Sequence, residues 1–135
     1  MRRHRGSQID SNKGRLKLWE TDMWNCTQTI ENDQRGMIGP ILATCFSPDN
    51  KNVMVGRMFG GADIYDVSTG TLQHRLKSWN SIALVAISPD NQLCALSTGV
   101  LNVELWNIKT GTRLQVIKHD VTDCTLSFSA NDNYL

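Results

Sequence analysis

An excess of charge of one sign is missing from this chain. Fourteen Lys and Arg stand against thirteen Asp and Glu, leaving a net charge of +1, so no general electrostatic case exists for a nucleic-acid partner. The opening Met1-Arg2-Arg3-His4-Arg5 is locally basic, but no apolar core follows to make a signal peptide. Residues 1–13 read as a basic and polar N-terminal tail. Long hydrophobic runs are missing too: the longest is Ile82 to Ile87, too short to span a bilayer. Helix signals are weak throughout.

Paired cysteines are also lacking. Cys26, Cys45, Cys94 and Cys124 are far apart along the chain, with no C-x-x-C and no close Cys/His spacing of the kind zinc sites show. Cys45, Cys94 and Cys124 fall in apolar segments, where a free thiol behaves as a small buried hydrophobe. That usage fits a reduced, intracellular setting, with the cytoplasm expected. Asn25-Cys26-Thr27 forms a glycosylation triplet, of a kind that recurs by chance.

Enzyme motifs are scarce. There is no phosphate-cradling G-x-x-x-x-G-K-S/T, no G-x-G-x-x-G opening a helix, no H-E-x-x-H and no G-x-S-x-G. Gly56 to Gly61 is glycine-rich but joins two strand-like runs, so its glycines read as a tight turn. Carboxylates are scattered singly, without a pair for acid–base work. No catalysis, cofactor or metal is expected.

What the chain does contain is repetition. Ser47-Pro48-Asp49-Asn50 recurs at Ser88 to Asn91, and an eroded copy lies one equal step further on, at Ser129-Ala130-Asn131-Asp132. Val67 to Thr71 (VSTGT) recurs at the same step as Ile108 to Thr112 (IKTGT), and ADIYD at Ala62 as VELWN at Val103. Proline presets a type I turn and Ser, Asp and Asn bond nearby backbone, so each SPDN reads as a hairpin loop between ILATCF or IALVAI and the apolar run that follows. ALVAI and LCALS do not alternate, as in strands covered on both faces; TLQHRL and TRLQVI do, as an outer strand at a solvent rim would.

A period of about 40 residues with four short strands per unit is the mark of a β-propeller blade. The order apolar run, SPD, apolar run, LW-type word and TG resembles the WD-repeat family, over about Gly14 to Leu135. The LW-type words are LKLWE at Leu16, ADIYD at Ala62 and VELWN at Val103. The resemblance implies an all-β partial propeller of about three four-stranded antiparallel blades, not closed. Residues 14–30 end one blade, 40–77 and 81–118 form two more, and 122–135 start another.

The family's Gly-His pair and turn Asp form a network with the Trp. Here Met37, Ser78 and His119 fill the His position, and Lys13, Phe59 and Val100 fill the Asp position. No repeat carries the full set, so packing is expected to dominate, and His119 reads as structural rather than as a catalytic base. Four blades at this period would need more chain than the 135 residues present, so the piece is expected to be a fragment of a longer protein, with the missing blades in that same chain or supplied by another chain.

The resemblance implies a rigid platform for protein–protein interaction, with protein partners docking on loops that hold Arg57, Met58 and Phe59, then Trp79 and Asn80, then His119 and Asp120. The candidate binding residues are Arg57, Phe59, Trp79 and Asn80. Trp79 is either a binding anchor or a plug packed on the next blade. A second expectation is a regulatory WD-repeat segment of a nucleotide-dependent signalling enzyme. The longer connection Glu31 to Pro40 would protrude, and exposed end blades would make the isolated chain poorly soluble or self-associating.

Overall fold

Short β-branched and apolar runs, each closed by a turn word, favour hairpins over helices. The computed structural model describes residues 5–10 (backbone only), 14–30, 40–98, 102–119, 125–131 and 133–135. Eleven strands and no helix form among the described residues: β1 (Arg5–Asp10), β2 (Arg15–Glu20), β3 (Asn25–Ile30), β4 (Ile41–Phe46), β5 (Asn52–Arg57), β6 (Ala62–Asp66), β7 (Leu72–Leu76), β8 (Ile82–Ile87), β9 (Leu93–Thr98), β10 (Asn102–Asn107) and β11 (Thr112–Lys118). Hence no described helix is long and apolar enough to cross a membrane.

The strands make three antiparallel meanders, β1-β2-β3, β4-β5-β6-β7 and β8-β9-β10-β11. The two four-stranded sheets run from Ile41 to Leu76 and from Ile82 to Lys118. β-Bulges recur at matching places, after Leu18, Ile64 and Leu105 in the last strand pair of each sheet, and between Ile41 and Ala43 and between Ile82 and Leu84 in the first pair of the complete ones. A bulge re-aims the residues that follow it. The chain is thus all-β and built of repeated antiparallel sheets that fit a propeller-like repeat, and the described sheets do not close into a ring.

Alternation along each strand sends successive side chains to opposite faces, and both faces are used. Val53, Val55 and Tyr65 of the second sheet pack on Leu16, Leu18 and Ile30 of the first. Their alternates Met54, Ala62 and Ile64, with Leu76, pack on Ile82, Cys94, Leu96 and Trp106 of the third. This explains the unbroken apolar strands of the second sheet, which is covered from both sides. Gly56 marks a close approach of the second and third sheets: a Cβ there would lie 2.7 Å from Ile82 Cγ2 and 3.0 Å from Val85 Cγ1.

The repeated turn folds the same way each time. Ser47 N–H donates to the Asn52 carbonyl (2.8 Å) and Ser88 N–H to that of Leu93 (2.8 Å). Each Ser hydroxyl donates to the turn Asp at 2.6 Å and accepts from the backbone N–H of Asn52 or Leu93 at 2.9 Å. Asn50 and Asn91 share φ of 60°, a left-handed value that Asn tolerates. Asn91 Nδ2 also donates to Asp49 Oδ2 at 3.1 Å, joining the turns of adjacent sheets.

Two expectations need correction. Part of the supposed tail forms β1, paired to β2 from Arg5↔Glu20 to Asp10↔Arg15; strand pairing needs backbone complementarity, which the polar string RGSQID does not disclose. At the other end, residues 125–129 are not in a sheet. Leu126 and Phe128 still pack on Ala86, Ala95 and Val103 of the third sheet, but no strand runs beside them among the described residues. The connection at 31–39 and Lys13, Met37, Val100, Asp120 and Cys124 lie outside the described residues.

Candidate binding face

The site is built where two loops meet at one end of the second sheet. After β5 the chain turns through Met58 to Gly61, with Arg57 N–H donating to the Gly61 carbonyl (3.0 Å) and Met58 N–H to that of Pro40 (3.0 Å). Gly61, at φ 88°, is required twice over: its conformation disfavours a side chain, and a Cβ would lie 2.0 Å from the Leu76 carbonyl oxygen. The loop after β7 therefore lies directly against it. The Ser81 hydroxyl donates to the Met58 carbonyl and ties the two.

These loops present Phe59, 53% exposed, and Trp79, 85% exposed, with Met58 beside them at 39%. A plug would be covered, so Trp79 is a projecting ring and not packing for a neighbouring sheet. Beside it lies an open recess of about 310 Å³ lined by Lys77, Ser78, Trp79, Asn80, Trp106 and Arg113. Asn80 is exposed, but its amide donates to Glu104 Oε1 at 3.2 Å, fixing the loop to the third sheet. Ser78 is buried and accepts the Asn80 N–H at 3.3 Å.

Arg57 does not join this face. It is the last residue of β5, 4% exposed, and points into the molecule, where Nε donates to Asp63 Oδ2 and Nη2 to the Tyr65 hydroxyl, both at 3.3 Å. Arg75 Nε reaches the other oxygen of Asp63 at 2.9 Å, and the Tyr65 hydroxyl donates to Oδ2 at 3.3 Å. A buried carboxylate needs such partners, and the same pairing holds the guanidinium away from any docking partner. Burial first, then the Asp63 charge, raises the Tyr65 pKa.

The third sheet repeats this arrangement with other residues. Glu104, at the repeat position of Asp63, is buried and accepts from Trp106 Nε1 (2.9 Å), Asn80 and Arg113 Nη1 (3.3 Å). Polar staples thus stand beside the packing in the two complete sheets, although neither carries the family's His and Asp set. An acid two positions before the aromatic, on the same face of the strand, takes up the aromatic's polar handle. The signal was present in the sequence as Asp-x-Tyr and Glu-x-Trp at one offset. Lys77, Ser78, Trp106 and Arg113 line the recess and were missed by loop mapping, as was the buried Glu104 that holds Asn80 and Arg113.

Other chemistry is limited. Among the described residues no group of three or more His, Cys, Asp or Glu is placed to hold a metal. Burial pushes the Cys45 thiol up to about 12 and raises that of Cys94, where Cys45 adds to the effect, so neither is a ready nucleophile. His119 is half-buried, and its Nε2 has no hydrogen-bond partner among the described residues. What the face offers is aromatic area on braced loops. Neither a known family nor a curated protein matches the chain.

Proposed function

We propose that the chain is a protein-binding platform of the WD-repeat type, non-catalytic, which captures a protein partner on the loop face that carries Phe59 and Trp79. The observation that carries this reading is the 85% exposure of Trp79 on a loop held by Ser81 to Met58 and by Asn80 to Glu104. A large exposed aromatic on a braced loop binds with little ordering cost, the usual make-up of an interface anchor. Met58 and Phe59 widen the apolar area, while Lys77 and Arg113 supply a polar rim.

The test is quantitative affinity capture with wild-type chain, Trp79→Ala, Phe59→Ala and an outer-strand control, Leu114→Ala. Trp79→Ala is expected to weaken binding of a captured partner by about 2 kcal/mol, some thirtyfold, as interface anchors do, with unchanged circular dichroism. Leu114→Ala should bind normally. Equal capture by all four proteins would discard this face.

A further inference from the structure

The first sheet has three strands where its neighbours have four. Register shows which is missing. Arg5↔Glu20 in β1 and β2 corresponds to Asn52↔Asp66 and Leu93↔Asn107, so β1 stands where β5 and β9 stand, and no counterpart of β4 and β8 is among the described residues. One edge of β1 therefore has no strand among the described residues. An open edge invites strand addition.

The opposite holds near residue 129. Leu126 and Phe128 occupy the repeat positions of Val85 and Ile87, and they cover the third sheet as Val85 and Ile87 cover the second. The segment then enters a turn like the earlier two: Ser129 N–H donates to the Tyr134 carbonyl (2.9 Å), its hydroxyl donates to Asn131 (2.6 Å), and Tyr134 N–H returns to that hydroxyl (3.1 Å). Residues 125–129 thus lie where an inner strand would, with no strand beside them among the described residues.

We propose that a second copy of the chain supplies both needs: residues 125–129 of one copy pair antiparallel with β1 of the other. The register follows from Phe46↔Val53, Cys45↔Met54 and Thr44↔Val55 in the second sheet, which place Phe128 opposite Gly6, Ser127 opposite Ser7 and Leu126 opposite Gln8. The same docking covers both open ends of the stack. Ile117 is 37% exposed where its counterpart Leu76 is fully buried, and Trp19 is half-buried where Tyr65 and Trp106 are buried. The established contact between second and third sheets has this pattern, an apolar leading face against a trailing face that carries the aromatic. Each copy donates and receives once, so two copies of three sheets close on themselves as six, within the roughly four to eight of propellers.

Sedimentation of the full chain is expected to show twice the chain mass. For the register, Ser7→Cys and Ser127→Cys are made separately in a background carrying Cys26→Ser and Cys124→Ser, then mixed and oxidised. A disulfide-linked pair is expected in the mixture and not from either variant alone, which separates pairing between copies from closure within one. Phe128→Asp should lose the dimer and keep the strand circular-dichroism signal. A monomer at every concentration, a mass that grows without limit, or a dimer that gives no crosslink in the mixture would each overturn the proposal.

Discussion

Trp24 occupies a backbone position that the chain elsewhere gives to glycine. In the last hairpins of the second and third sheets, Gly70 (φ 72°) and Gly111 (φ 65°) donate their N–H groups to the carbonyls of Asp66 and Asn107. Trp24, in the same relation to Glu20, has φ of 55° and a ring that is 72% exposed, next to Met23 at the same exposure. A left-handed conformation costs an L residue roughly 1–2 kcal/mol, and glycine's extra freedom in the unfolded chain offsets roughly 0.5–1 kcal/mol of that. Little buried area is at stake, so the backbone contribution decides the sign. Trp24→Gly is expected to stabilise the chain by about 0.5–1 kcal/mol, read from the urea midpoint. A loss of stability would mean that the exposed ring has packing the φ argument ignores.

At the scale of the element, the turns carry both the repeat and a pH response. Asp90 is held below its ordinary carboxyl value of 3.8, first by the Ser88 hydroxyl, and Asp66 likewise, first by the Ser68 hydroxyl. Groups with lowered native pKa values stabilise above the unfolded value, and that contribution disappears as pH falls through the native value. Stability should therefore hold at neutral pH and decline once the pH drops below about 3.8. Equivalent turns use Asn131 and Asn107, which make corresponding acceptor contacts without a charge. Asp66→Asn with Asp90→Asn should therefore flatten the acid decline in midpoints measured between about pH 6 and about pH 3; an unchanged slope would assign the decline elsewhere. These turns are also why the two complete sheets were legible. SPDN and TGT are local codes, and local codes survive without tertiary context. β1 was not legible, because RGSQID has neither alternation nor β-branched density to mark a strand. Arg57 was misplaced for a related reason: beside glycines it looks like loop, and only Asp63, Tyr65 and Arg75 on two further strands make its burial possible.

For the whole molecule, the governing fact is that each sheet is buried chiefly by its neighbours, as in other stacked repeats. The joint between second and third sheets should then be the place where one atom changes cooperativity. Gly56 lies at that joint, with Ile82 and Val85 too near to admit a Cβ without displacement. Alanine reduces unfolded-state freedom, worth roughly 0.4–1 kcal/mol in its favour, but overpacking a filled interior costs typically about 1–3 kcal/mol. The larger contribution wins, so Gly56→Ala should destabilise by about 1–2 kcal/mol. Hydrogen exchange followed by mass spectrometry should show the loss in Asn52–Arg57 and Ile82–Ile87, on the two sides of the joint, with β2 and β3 less affected. Ile82→Ala removes the methyl that the new Cβ meets, so the double variant should be more stable than the two separate losses imply, by at least about 0.5 kcal/mol of coupling. Strict additivity would mean that the sheets separate elsewhere, and that the second and third are not joined through Gly56.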